Sequence, residues 1–219
     1  MRQNISLAEI SDGHLYKAND MVKADCGGCE GCSQCCRGMG NSIILDPYDV
    51  YRLTTGIGKS MQELLATSVE LNVVDGVILP NLKMQGTREA CAYLDAEGRC
   101  SIHPYRPGIC RLFPLGRHYE NGGLFYFLQT GECAKENRSK VKVSKWIDTP
   151  ELKRNEQFKL QWHDLLSAMT DRVAGEDEGK QREENLLLLR LFYLLPYEGT
   201  TDFYSQFTER MEHWNEQIG

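Results

Sequence analysis

No stretch of this 219-residue chain is apolar for long enough to cross a membrane. The longest apolar run, Leu186 to Leu195, carries Arg190 and stops at Pro196, well short of the ~20 residues a spanning helix needs. Met1 to Asp12 shows no apolar h-region, so no secretory signal is read, and a cytoplasmic location away from membranes is expected. Basic residues are not in excess: 25 Lys and Arg face 31 Asp and Glu, a net charge of -6. The resulting pI of about 5.5 argues against nucleic acid as a partner. No Gly-x-Gly-x-x-Gly loop for a nucleotide is present, and no internal repeat or low-complexity segment stands out. His14, His103, His118, His163 and His213 are scattered, which gives no basis for a Ser/His/Asp triad.

What the chain does have is thiols. Cys26, Cys29, Cys32, Cys35 and Cys36 fall within eleven residues, and Cys91, Cys100, Cys110 and Cys133 follow. Nine is an odd count, and the cytosol is reducing, so a disulfide framework is the weaker reading. Cys-x-x-Cys spacing lets successive sulfurs converge on one point, the geometry of a metal ion or an iron–sulfur cluster. Glycines at 27, 28 and 31 let the backbone fold tightly around such a point.

The spacing excludes several standard sites. A bacterial ferredoxin loop ends in Cys-Pro, whereas here Cys36 follows Cys35 directly. A Cys-x3-Cys-x2-Cys run begun by Cys32 and Cys36 fails at Met39. The pairs 26/29 and 32/35 lie too close together to be the halves of a zinc ribbon, so partners must come from Cys91, Cys100, Cys110 or Cys133. Adjacent Cys35 and Cys36 are expected to point apart, one of them serving a second centre or lying buried as a small apolar group. Arg106 and Arg111 flank Cys110; they either offset thiolate charge or grip a bound cofactor or an anionic substrate. His103 is expected to be structural rather than a ligand.

The overall pattern predicts an α+β protein. Residues 1–140 form a cysteine-rich metal- or cluster-binding domain of short helices and hairpins, and residues 141–219 a helical region packing on it. Asp46-Pro47 starts a helix to about Thr55, and Ser60 to Glu63 opens another to about Leu71 as a capping box. Asp75-Gly76 and Asn121-Gly122 mark hairpin turns. A loop over Asp95 to Gly98 would place Tyr93 opposite Cys100, with Cys91 diagonal to it. The stretch Lys135 to Lys145 reads as a polar linker. Beyond it, Phe158, Trp162, Leu165, Leu166, Met169 and Val173 form one helical stripe, and Phe203, Phe207, Met211, Trp214 and Ile218 another. The run between them predicts a helix buried nearly all round, and Glu176 to Glu178 a solvated turn.

Cys29-x2-Cys32-x2-Cys35-Cys36-Arg37, then Cys91, then Cys100 with Arg106-Pro107-x2-Cys110-Arg111-x-Phe113-Pro114, and a later Cys133, together resemble the YkgJ-type CxxCxxCC family. The resemblance covers roughly residues 26–133, with Cys26 as an addition and His103 in place of a frequent tyrosine. It implies a zinc- or iron-chelating domain whose members are often labelled iron–sulfur proteins. Flagellin lysine N-methylases are similar over this region, which implies S-adenosylmethionine as a second cofactor. The expectation is an iron–sulfur cluster, with zinc as second choice, in a redox or structural role. A lysine methyltransferase and a zinc-stapled module presenting its helices to a protein partner are the alternatives.

Overall fold

The computed structural model describes residues 6–27, 32–135 and 137–218. Helix α1 (Leu7–Ile10) and strand β1 (Met21–Asp25) precede the cysteine loop. Helices α2 (Pro47–Ile57) and α3 (Met61–Thr67) follow, each opened by a reciprocal capping box, Asp46 with Asp49 and Ser60 with Glu63. Helix α3 ends at Thr67, four residues before the expected Leu71, because Val69 already belongs to a strand.

Strands β2 (Val69–Val74) and β3 (Val77–Leu82) form an antiparallel hairpin, and Asp75 and Gly76 both take positive φ at its turn. Short strands β4 (Met84–Gln85) and β5 (Ala90–Cys91) pair next, and helix α4 (Gly108–Leu112) carries Cys110. Strands β6 (Leu115–Glu120) and β7 (Gly123–Leu128) form a second hairpin, turned at Asn121-Gly122. Strand β8 (Ser139–Lys142) and helix α5 (Val143–Ile147) occupy the stretch expected as a linker. β8 pairs antiparallel with β1, Met21 opposite Lys142 and Asp25 opposite Ser139. The ladder buries Val22 and Ala24 against Leu115, Tyr126, Val143 and Ile147.

The remainder is helical: α6 (Leu152–Val173), α7 (Glu178–Leu189), a π turn (Arg190–Leu194) and α8 (Phe203–Ile218). The predicted stripes face inward, with Phe158, Trp162, Leu165, Met169, Val173, Phe203, Phe207 and Trp214 all buried. The middle run departs from its expectation. Leu188, Leu189, Phe192 and Tyr193 are buried, but Leu186 is 54% and Leu195 48% exposed, so only one side of it meets the core. Asp177 caps α7 by accepting from Gly179 and Lys180 N–H. One apolar cluster joins these helices to Leu45, Val50 and Leu53 of the first half, to the β2–β3 hairpin and to Ile102. The protein is α+β, and no described helix is long and apolar enough to cross a membrane.

Candidate metal centre

The site is built from three stretches that local pairing brings together. A 3-10 turn, Gln34–Cys36, presents Cys35 and Cys36. Just past it, Arg37 bridges to Ala90 and Gly38 N–H donates to Glu89 O at 2.9 Å, which lays the turn beside Cys91. Cys91 sits in β5, opposite Met84. The chain then folds over Asp95 to Gly98, with Gly98 N–H donating to Asp95 O. Here the register differs from expectation: Leu94, not Tyr93, lies opposite Cys100, because Ser101 N–H donates to Tyr93 O and the Tyr93 hydroxyl meets Ser68 Oγ. A one-residue shift of this kind reverses which face each side chain takes. A second 3-10 turn, His103–Tyr105, leads through Pro107 into α4 and Cys110.

The thiols of these stretches lie close enough to affect one another's ionisation. The Cys36 thiol donates to the Cys35 sulfur and holds Cys35 down, at about 7. That bond pushes Cys36 far up, and burial and the charges of Cys35, Cys110 and Cys91 add to the rise. The two neighbouring thiols therefore interact with each other within the 3-10 turn. Burial raises Cys91, Cys100 and Cys110; Cys91 and Cys110 also sense both Cys35 and Cys100, and Cys100 senses Cys35. The Arg106 guanidinium pulls Cys35 and Cys100 the other way.

No disulfide joins the eight described cysteines, all of them partly buried. Cys26 follows β1, Cys32 precedes the 3-10 turn and Cys133 lies between β7 and β8; Cys29 falls outside the described residues. Among the described residues, no three Cys, His, Asp or Glu side chains form a ready-made group around one ion. The donor set nevertheless fits a thiophilic metal by its chemistry: five soft sulfurs from three stretches, with one cation beside them.

The two arginines have separate tasks. Arg106 contacts His103 Nε2 through one terminal nitrogen, and its Nε is buried with no partner among the described residues. Arg111 is 8% exposed and donates to three carbonyls, Arg106 O, Asp148 O and Pro104 O, at 3.3, 2.9 and 2.6 Å. His103 lies among Arg106, Arg111 and Arg99; burial, then their charges, push it down and keep the ring neutral.

Sequence reasoning missed the platform beneath this segment. Asp49, Arg52 and Gly56 share one face of α2 at helical spacing. Asp49 Oδ1 accepts Gly108 N–H at 2.7 Å, Arg52 donates to Pro104 O, and Gly56 lies against the Tyr105 ring. Asp46-Pro47 announced a helix start, and nothing in it announced contacts more than fifty residues away.

Residues 28–138 match the model of the CxxCxxCC family, whose description reads "Putative zinc- or iron-chelating domain". No curated protein and no solved structure matches the chain. With half of its length under that model, the chain belongs to the CxxCxxCC family.

Proposed function

We propose that the protein holds an iron–sulfur cluster, with zinc as second choice, through thiolates drawn from the set Cys35, Cys36, Cys91, Cys100 and Cys110. The observation that carries the reading is that five thiols from three separate stretches sense one another's charge without a disulfide among them. Cys26, Cys29, Cys32 and Cys133 complete the candidate ligands. Iron is favoured because nine thiols exceed the four that one tetrahedral ion takes. When bound, such a cluster supplies one-electron redox chemistry or a rigid cross-link.

The chain's own residues prepare that site. Cys35 stands near half ionisation at neutral pH and offers a thiolate before any metal arrives. Arg106 offsets the charge that accumulates as more thiols ionise. Cys110, held neutral by burial, would release its proton to solvent as a cation takes its place on the sulfur.

The test is anaerobic purification with iron, zinc and acid-labile sulfide counted per chain beside the visible spectrum. Iron with matching sulfide and a brown chromophore supports the cluster. Zinc without sulfide replaces it with a structural staple that presents the helices to a partner. Neither metal, in protein purified without chelator, sinks both. The lysine methyltransferase reading rests on resemblance alone, and calorimetric titration with S-adenosylmethionine decides it.

A further inference from the structure

The carboxylate of Asp49 is 3% exposed and has its two oxygens engaged in different directions. Oδ1 takes the Gly108 N–H at 2.7 Å, and Oδ2 takes the Asp46 N–H at 3.2 Å. Gly108 is the first residue of α4, and its N–H is one of the donors a helix start leaves without an internal acceptor. Asp49 thus supplies, from a distant helix, the cap that α4 lacks locally: Pro107 makes no side-chain cap bond. Cys110 stands two residues further on.

Behind Asp49 the support continues. Asp46 accepts from Asp49 N–H at 2.9 Å and pairs with the Lys159 ammonium, which is 4% exposed on α6. Three groups close on the Gly108 Cα: a Cβ there would lie 3.2 Å from an Arg117 terminal nitrogen and 3.4 Å from both Asp49 Oδ1 and Lys159 Nζ. Two of these groups, Asp49 and Lys159, belong to the buried carboxylate chain. A buried ion pair contributes little net stability against an apolar replacement, yet it fixes geometry because breaking it strands a charge.

We propose that Asp49 is a positioning residue for the metal centre, fixing where Cys110 stands, and that Lys159, through Asp46, brings the C-terminal helices into the same support. The inference rests on the metal reading above and deepens it. Lys159, outside the family's matched segment, then supports the site inside it. Partners that orient metal ligands typically change metal affinity by ~10–100-fold when removed.

The experiment uses the full reduced chain with zinc for affinity and cobalt(II) for the optical signature of thiolate ligation. Asp49→Ala is expected to weaken zinc binding by ~10-fold or more and to shift the cobalt bands. Asp49→Asn keeps an oxygen for the Gly108 N–H and is expected to recover most of the affinity and the native cobalt bands, a rescue that loss of general stability would not give. Near-ultraviolet dichroism of the tryptophans verifies folding. A folded Asp49→Ala variant with wild-type zinc affinity and cobalt bands overturns the proposal. Where Asp49→Ala does not fold, Lys159→Met decides by the same readouts: weakened binding and shifted bands support the proposal, wild-type values overturn it. Wild-type protein that takes up neither metal overturns the metal reading itself, and the positioning proposal with it.

Discussion

Asn185 on α7 accepts the Ile78 N–H at 2.6 Å, while its amide donates to Gly76 O at 3.1 Å and Gln181 O at 2.9 Å. One buried side chain thereby satisfies the turn of the β2–β3 hairpin and ties it to the C-terminal helices. Asn185→Ala removes the side-chain partners of the half-buried Ile78 N–H and of the Gly76 carbonyl, each bond worth up to ~1–2 kcal/mol. A loss of ~2–4 kcal/mol is expected in urea denaturation at neutral pH. A loss below ~0.5 kcal/mol, the range of an ordinary surface change, would show that the hairpin turn does not need the helix.

Gly56 offers a second test. A Cβ at this position would fall 2.2 Å from Cδ1 of the Tyr105 ring, so the ring, and with it the turn between Cys100 and Cys110, must move. Gly56→Ala is expected to cost ~1–3 kcal/mol as an overpacking change. Gly199→Ala serves as the control, because its Cβ would meet Thr55 at an ordinary 3.4 Å and its φ is not positive. Equal denaturation midpoints for the two variants would refute the packing argument.

The Cys35–Cys36 pair predicts an unequal reactivity. In the reduced, metal-free protein the pair releases its first proton at about 7 and its second far higher. Alkylation by iodoacetamide, mapped by mass spectrometry, should therefore mark Cys35 with a midpoint near pH 7. Cys110, buried and pushed up, should react slowly throughout. A midpoint near 8.5 at Cys35, the value of an ordinary thiol, would count against the hydrogen bond from Cys36.

Tyr16 predicts the alkaline limb of stability. Burial, then the hydrogen bond to Asp12 at 2.5 Å, push the phenol up to about 12. An unfolded tyrosine ionises near 10. The folded state thus holds the proton more tightly; the associated stability is complete below pH 10 and disappears as pH rises through about 12. Melting temperatures measured from pH 9 to 12 should fall less steeply for Tyr16→Phe than for the parent. Parallel slopes would remove Tyr16 from the account.

Local chemistry was legible in the sequence and distant pairing was not. Asp75-Gly76 and Asn121-Gly122 announce their hairpins because few residues accept positive φ at both turn positions. Asp46-Pro47 and the Ser60–Glu63 capping box announce α2 and α3 because helix-start signals span only a few residues. The stripes of α6 and α8 follow from helical spacing. The Leu94–Cys100 register was missed because it is decided by Ser101 and Tyr93, contacts that alternation of residue types does not reveal. The interaction of Cys35 with Cys36 arises in a 3-10 turn that no single residue signals. The pairing of Asp25 with Ser139, and the ion pair of Lys159 with Asp46, join residues more than a hundred positions apart. The thiol group was found from composition, and the α2 platform that supports it only from the fold.

The β1–β8 ladder also sets an order of events during translation. Every cysteine precedes Ser139, so all nine thiols are synthesised before the strand that closes their segment. The Lys159 support emerges later still. A nascent chain stalled before residue 139 would expose unpaired sulfurs without the sheet that brackets them. The thiol segment is accordingly complete in the growing chain before the strand and the helix that secure it can pair.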